Sequence, residues 1–269
     1  MPDPESEEIQ PAFPPEIEEL IFSLSAQSDL ESSKILIFVA KRVYEWLKPH
    51  LYKVAILHDN QADCGRLELD SKLLKIHGHH VRHLLLWYRP WDEMFVHNPA
   101  TFLSWCPNVV DIALWRVETV YDGDLVDQLL ALPLTRISFD VTRLNDDITK
   151  YSISKPISFT SVTHLELNGM EIRFPVDKIK GYFPSITHMA LEEDLKLPVK
   201  DILDCWGDQL EVLIWYHGTK SVSDDPRVVV LSPSGEYVRN WNEATKDGPS
   251  SVWRKAEEEV KRRRRDAGM

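Results

Sequence analysis

A short apolar pattern that recurs at nearly regular intervals restricts the fold of this chain more than any other feature. The pattern is apolar-x-x-apolar-x-apolar, and successive copies begin 30, 28, 25, 28, 24 and 24 residues apart. A period of about 20 to 50 residues is typical of chains that stack copies of one structural unit. The copies are Leu51/Val54/Ile56, Val81/Leu84/Leu86, Val109/Ile112/Leu114, Leu134/Ile137/Phe139, Val162/Leu165/Leu167, Ile186/Met189/Leu191 and Leu210/Leu213/Trp215.

Each copy is predicted to be a strand, because its last two apolar residues are two positions apart and so point to one face. Helical spacing between the copies predicts helices over Val176–Phe183 and Val199–Trp206, and another that starts near Asp124. Leucine-rich repeats have a period of about 20–29 residues, and five of the six spacings fall in that range. We therefore predict an α/β fold, an irregular leucine-rich-repeat solenoid over residues 51–231, with parallel strands on its concave side and helices or loops outside.

The residues before the first copy predict three short helices over residues 13–50, after an acidic disordered arm at residues 1–12. Apolar residues spaced i, i+3, i+4, i+7 give the first helix one apolar stripe: Ile17, Leu20, Ile21 and Leu24. A second helix is expected over Leu30–Ala40 and a third over Arg42–Lys48, where Pro49 should stop it.

These N-terminal residues resemble an F-box, of the kind found in fungal F-box proteins with degenerate leucine-rich repeats. Phe13-Pro14-Pro15-Glu16-Ile17 stands where that family has Leu-Pro-x-Glu-Ile, and residues 39–46 and 47–52 are similar to its later motifs. The resemblance implies that this segment docks a Skp-type adaptor within a cullin ubiquitin ligase, while the repeats bind a protein substrate. It assigns the docking surface to Phe13, Pro14, Pro15, Ile17, Ile21 and Leu24. The alternatives are helices that only cap the repeats, or a free-standing repeat scaffold unrelated to ubiquitination.

Residues that flank the interior positions of each strand are expected to face the concave surface and to bind the substrate. In the first strand these flanking residues would be Lys53, Ala55 and Leu57. Two tryptophans of this set are either partner anchors or are covered by another part of the chain. The substrate-binding set is His83, Trp87, Asp111, Trp115, Arg136, His164, Glu166, His188 and Tyr216.

Charge and motif content argue against several other functions. The formal charge of −12 would repel a phosphate backbone, so we expect no nucleic-acid partner. No apolar run approaches the ~20 residues of a membrane-spanning helix, and we expect no membrane association. Catalytic and cofactor fingerprints are absent from the sequence, so we expect neither enzymatic activity nor a cofactor.

Histidines and cysteines do not form a metal or disulfide pattern. The histidines between residues 77 and 83 have no cysteine or carboxylate at ligand spacing, so we expect a loop and no metal. Three scattered cysteines imply no disulfide framework and fit a reducing compartment, the cytoplasm and/or the nucleus. Residues 232–269 are predicted to form a C-terminal helical cap, with a helix over about Ser251–Arg265. Its basic run Lys261–Arg265 is either a nuclear localisation signal or a charged helix end.

Overall fold

The structure is a computed structural model. It describes residues 13–28, 30–57, 71–87, 99–115, 123–140, 157–169, 175–192, 195, 197–216, 223–232, 241–242, 244–245 and 251–268. The chain divides into two compact units, Met1–Lys53 and Val54–Met269. The predicted acidic arm, residues 1–12, lies outside the described residues.

The described part of the first unit contains three helices: α1 (Pro15–Ser28), α2 (Leu30–Leu36) and α3 (Lys41–Leu51). The prediction that Pro49 stops the third helix is wrong, because α3 continues to Leu51. Pro49 lies in its last turn, where the loss of one backbone donor removes only one bond of the helix. The second helix ends four residues earlier than predicted and is followed by a turn over residues 37–39.

The second unit contains an eight-stranded sheet among the described residues, and every strand pairs in parallel with the next one along the chain. This confirms the predicted α/β class and the parallel strands. The eighth strand was not predicted. The strands are β1 (Val54–Leu57), β2 (His83–Trp87), β3 (Asp111–Trp115), β4 (Arg136–Asp140), β5 (His164–Asn168), β6 (His188–Glu192), β7 (Val212–Tyr216) and β8 (Val228–Leu231).

The register of the first strand differs from the prediction by one residue. Val54 pairs with His83 and Ala55 with Leu84, so Val54 and Ile56 share a face with His83 and Leu85. The expectation that Lys53, Ala55 and Leu57 lie on that face is therefore wrong. Leu51 is apolar because it belongs to α3, and the residue equivalent to Val81 is Tyr52, 29 positions earlier.

Short helices connect the strands where the structure describes the connections. They are α4 (Ser71–His77), α5 (Pro99–Trp105), α6 (Gly123–Ala131), α7 (Val176–Tyr182) and α8 (Val199–Trp206). The predicted helix Val199–Trp206 is confirmed, and its chain leaves through Gly207 at φ 56°, a conformation that glycine adopts without strain. A last helix, α9 (Val252–Asp266), confirms the predicted C-terminal helix.

One face of the sheet forms the main apolar core. Leu84, Ile112, Ile137, Leu165 and Met189 occupy matching positions in successive strands and are almost completely buried. At the other interior position of β4, Phe139 packs against Phe183, which follows α7, with ring centroids 6.3 Å apart. The regular apolar spacing therefore arises because equivalent side chains of each strand stack into one continuous core.

Threonines just before the strands extend the pairing between neighbours. The Thr163 backbone N–H donates to the Thr135 carbonyl at 2.9 Å, and the Thr187 N–H donates to the Thr163 carbonyl at 3.0 Å. The hydroxyls of Thr163 and Thr187 reach the same carbonyl groups at 3.4 Å. This ladder therefore joins consecutive strands just before they begin.

Candidate protein-interaction surfaces

An exposed apolar stripe runs along α1. The stripe consists of Phe13, Ile17, Leu20, Ile21 and Leu24, whose exposed fractions lie between 44% and 56%. Pro14 and Pro15 at the start of the helix are exposed as well. All six residues predicted to dock an adaptor are therefore exposed, and Leu20 joins them.

The opposite face of α1 packs inside the helical unit. Ala26 is buried, and its carbonyl accepts a hydrogen bond from the Ser33 hydroxyl of α2 at 3.3 Å. Phe22 contacts Trp46 of α3, with ring centroids 6.4 Å apart. The internal contacts of the unit thus use the Phe22–Ala26 side of α1 and leave the α1 stripe outside its core.

A second exposed apolar patch lies at the end of α2 and in the turn after it. Ile35, Phe38 and Val39 are 72%, 84% and 62% exposed. These residues were not expected from the sequence to form a surface. The sequence signal for this patch is the run of five consecutive apolar residues Ile35–Val39. Their side chains point in every direction around a helical turn, so one packed face cannot bury them all.

Polar side chains occupy the sheet face opposite the main core. This polar sheet face consists of His83, Asp111, Arg136, Ser138, His164, Glu166, Asn168 and His188. At one end, the Asp111 carboxylate lies 3.2 Å from His83 Nδ1 and 3.2 Å from Arg136 Nε. Arg136 Nη1 also donates to the Ala244 carbonyl at 3.2 Å. The guanidinium is therefore held both by its neighbouring strand and by the C-terminal part of the chain.

Two histidines stack in the middle of this face. The rings of His164 and His188 are 4.3 Å apart and nearly parallel, and each Nδ1 contacts the hydroxyl of the preceding threonine at 2.9 and 2.8 Å. Burial, the neighbouring His188 and Arg136 lower the pKa of His164 to about 3. Burial also lowers the pKa of His188, although Glu257 opposes the change. Both rings are consequently neutral near pH 7.

Ser138 is the centre of a hydrogen-bond network on the same face. Its Oγ accepts hydrogen bonds from Trp115 Nε1 at 2.7 Å and from Asn168 Nδ2 at 3.2 Å. The Ser138 hydroxyl also acts to lower the pKa of the Glu166 carboxyl, but burial has the larger effect. Part of the Glu166 side chain still meets solvent, but its carboxyl group lies deep among other side chains. Burial, together with Asp111 and Glu192, raises the pKa of this carboxyl to about 7.

The C-terminal part of the chain covers much of the polar sheet face. This covering segment consists of Trp241, Asn242, Ala244, Thr245 and helix α9. Trp241 packs with Trp115 and Leu85, and α9 packs against β7 and β8 through Trp253, Ala256 and Val260. The sequence left two roles open for Trp115, a partner anchor or a residue covered by another part of the chain. These contacts show that Trp115 is covered.

The predicted substrate-binding residues share one face, but most of them do not form an open groove. Trp87, Arg136, His164 and Glu166 are half-buried. The covering segment and neighbouring strands exclude solvent from the others. The buried ones are His83, Asp111, Trp115, His188 and Tyr216. Whether this face binds a partner stays a prediction.

A small cavity remains between the sheet face and the covering segment. Asp111, Arg136 and Glu166 line it from the sheet, and Trp241 and Trp253 line it from the cover. Its volume is about 20 Å³, enough for about one water molecule. It is far smaller than the clefts that hold small-molecule substrates.

The described residues contain no group of three or more histidine, cysteine or acidic side chains arranged to hold a metal ion. Among the histidines between residues 77 and 83, the ring centroids of His79 and His80 lie 3.9 Å apart. Cys106 is a buried free thiol and Cys205 a half-buried one, whereas Cys64 lies outside the described residues. No helix in the described part of the chain is long and apolar enough to cross a membrane.

No family model, curated protein or solved structure matches this chain.

Proposed function

We propose that this chain is a substrate-recruiting adaptor of a Skp–cullin–F-box ubiquitin ligase. The N-terminal helical unit would dock a Skp-type adaptor, and the leucine-rich-repeat unit would bind the protein to be modified. Such a subunit contributes binding surfaces and proximity, with no catalytic group and no cofactor of its own. It would act in the cytoplasm and/or the nucleus.

The α1 stripe is the observation that carries this proposal. A single exposed apolar side chain is ordinary, but a contiguous exposed patch indicates a surface that binds another protein. Phe13 lies just before α1, and four large apolar side chains follow it along the helix at helical spacing. Full burial of one such side chain contributes about 1.5–3 kcal/mol, so covering several of them could stabilise a complex.

The repeat architecture of the second unit supports the substrate-binding half of the proposal. Eight described strands pair in chain order, and the same repeat positions face one another across the sheet. Stacked repeats of this kind offer extended surfaces for proteins rather than deep pockets for small molecules. The small size of the cavity on the polar sheet face agrees with a protein ligand.

Binding to a purified Skp-type adaptor tests the proposal. We expect the full chain to form a one-to-one complex that survives size-exclusion chromatography, with affinity measured by isothermal titration calorimetry. Replacing Ile17 and Ile21 by Asp should abolish the complex because two charges would enter the apolar contact. The matched control is Ile76→Asp, at a residue of the second unit that is 61% exposed, and it should bind as the unchanged chain does.

Two results would refute the adaptor role. One is a folded, unchanged chain that binds no Skp-type adaptor. The other is a complex that the Ile17→Asp and Ile21→Asp changes leave intact. Either result would favour the alternative of a free-standing repeat scaffold that is unrelated to ubiquitination. Phe38→Asp, tested in parallel, shows whether the second apolar patch contributes to the same contact.

A further inference from the structure

The last strand of the described sheet has one edge without a neighbouring strand. β8 pairs with β7 on one side, and no described residue forms a strand on its other side. The Leu213 N–H donates to the Arg227 carbonyl at 2.9 Å, so the backbone groups of Arg227 and Val229 face β7. Because these groups alternate along a strand, those of Val228 and Val230 point outward. The outer edge of β8 therefore presents backbone donors and acceptors.

The outward groups of Val228 already have hydrogen bonds. Arg263 Nη1 of α9 donates to the Val228 carbonyl at 2.7 Å, and Arg263 Nε donates to Glu259 Oε1 at 2.7 Å. The Val228 N–H donates to the Asp225 carbonyl in the turn before the strand. No described strand or side chain bonds the outward groups of Val230. The N–H and carbonyl of Val230 are thus the groups that an added strand can bond.

The side chains of β8 alternate between two environments. Val228 and Val230 lie on the main-core side, beside the last copy of the repeat. Val229 and Leu231 lie on the opposite side, where they pack with α9. Val230 and Leu231 are half-buried, and Ser232 after them is exposed. A strand added at this edge continues the same alternation, so it needs apolar residues on the core side and meets α9 on the other.

The end of α9 next to this edge is basic. Its five consecutive residues Lys261–Arg265 are all lysine or arginine, and Arg263 bonds to β8 itself. The hydrogen bond from Arg227 lowers the pKa of Asp225 in the turn before β8, and the charge of Arg264 adds to this effect. A second copy of the chain would bring its own basic run to the edge, and like charges oppose that pairing. Charge complementarity therefore favours an acidic partner.

We propose that the outer edge of β8 binds an extended acidic segment of a partner protein as an additional strand. Apolar residues of that segment would continue the main core, and the acidic residues that alternate with them would face Arg263 and Arg264. Such strand addition takes its affinity from main-chain hydrogen bonds and its specificity from alternate side chains. The inference rests on the proposed function only in that this chain recruits a protein, and it does not require adaptor docking by α1.

Binding of a synthetic peptide to the full-length chain tests this inference. The probe is a fluorescein-labelled peptide in which glutamate and valine alternate, and its binding is measured by fluorescence anisotropy. Val230→Pro removes an outward N–H and leaves the pairing with β7 in place. Arg264→Glu reverses a charge beside the edge. The matched control is Lys255→Glu, at an exposed position near the other end of α9.

We expect the glutamate–valine peptide to bind the unchanged chain and the Lys255→Glu chain equally well. Val230→Pro should weaken binding at least about tenfold, because a backbone hydrogen bond is lost and the proline ring obstructs the edge. Arg264→Glu should weaken binding at least about threefold, because an exposed charge attraction becomes a repulsion. The same peptide with methylated backbone nitrogens should not bind, since it has no N–H groups to donate.

Several results would overturn the inference. One is an unchanged chain that does not bind the glutamate–valine peptide, and another is equal binding of the methylated peptide, which would make the contact electrostatic only. Equally tight binding of a lysine–valine peptide or of a single-stranded oligonucleotide would show that the edge does not select an acidic protein segment. A dimer in size-exclusion chromatography that Val230→Pro dissociates would make a second copy the occupant.

Adaptor binding measured on the same chains keeps this inference separate from the proposed function. A chain that binds a Skp-type adaptor but not the peptide refutes only the strand addition, whereas the reverse result refutes only the adaptor role. Circular dichroism checks that Val230→Pro is folded. If that variant does not fold, Arg264→Glu and the methylated peptide still decide the outcome, because neither changes the backbone of β8.

Discussion

Replacing Glu166 by Gln should stabilise the second unit above neutral pH, and the gain should disappear in acid. The pKa of the Glu166 carboxyl is raised from 4.5 to about 7, so the folded chain holds a proton that the unfolded chain releases between these values. This stabilising contribution is complete below pH 4.5 and is lost as the pH rises through 7. Glutamine has nearly the same shape as glutamate, and its amide does not titrate.

The gain in the free energy of unfolding follows from the difference between the folded and unfolded pKa values of Glu166. At about 1.4 kcal/mol per pH unit, an increase from 4.5 to about 7 corresponds to about 3 kcal/mol. Partial contact of the side chain with solvent reduces this figure, so we expect about 2–3 kcal/mol at pH 8. The free energy of unfolding of the variant and the unchanged chain should converge near pH 4.5.

Urea unfolding followed by tryptophan fluorescence at several pH values measures this difference. Eight of the nine tryptophans lie after Lys53, so the fluorescence reports mainly on the second unit. The control is Glu258→Gln on α9, because Glu258 is 63% exposed in its ion pair with Arg254 and should change stability by less than about 0.5 kcal/mol. A Glu166→Gln difference that is constant with pH, or that grows in acid, would refute the reasoning.

Three further predictions concern packing and titration. Gly78→Ala should destabilise the chain by about 1–3 kcal/mol, because its new Cβ would overlap the carbonyl of Trp105. The control is Gly181→Ala in α7, whose new Cβ meets open space and which should stabilise the chain slightly. Thermal unfolding compares the two variants. Burial raises the pKa of Cys106 to about 12, so iodoacetamide at pH 8 should label this thiol only after denaturation, as peptide mass spectrometry can measure. The pKa of His164 is lowered to about 3, so its contribution to stability is present above pH 6.5 and decreases as the pH falls. Relative to His164→Asn, the unchanged chain should lose about 2 kcal/mol between pH 8 and pH 5 in urea unfolding.

The repeat and the class of fold could be predicted from the sequence because they depend on local periodicity. Each strand carries apolar residues two positions apart, and the helix Val199–Trp206 has both an apolar stripe and a glycine stop. The exposure of the α1 stripe agrees with its spacing, since three short helices cannot bury every apolar face. The register of β1 was predicted wrongly because Leu51 satisfies the apolar pattern while serving the packing of α3.

What covers the polar sheet face was decided only by tertiary structure. Arg136 bonds to Ala244 across 108 positions of sequence, and Trp253 meets His164 and His188 from a separate helix. No local pattern encodes such contacts, because they depend on where the chain returns after the last strand. The sequence by itself determined the stacked parallel strands, the polar residues of the polar sheet face and the apolar stripe of α1. Folding decided that much of the polar sheet face is buried, since burial depends on long-range packing and not on the spacing of residues.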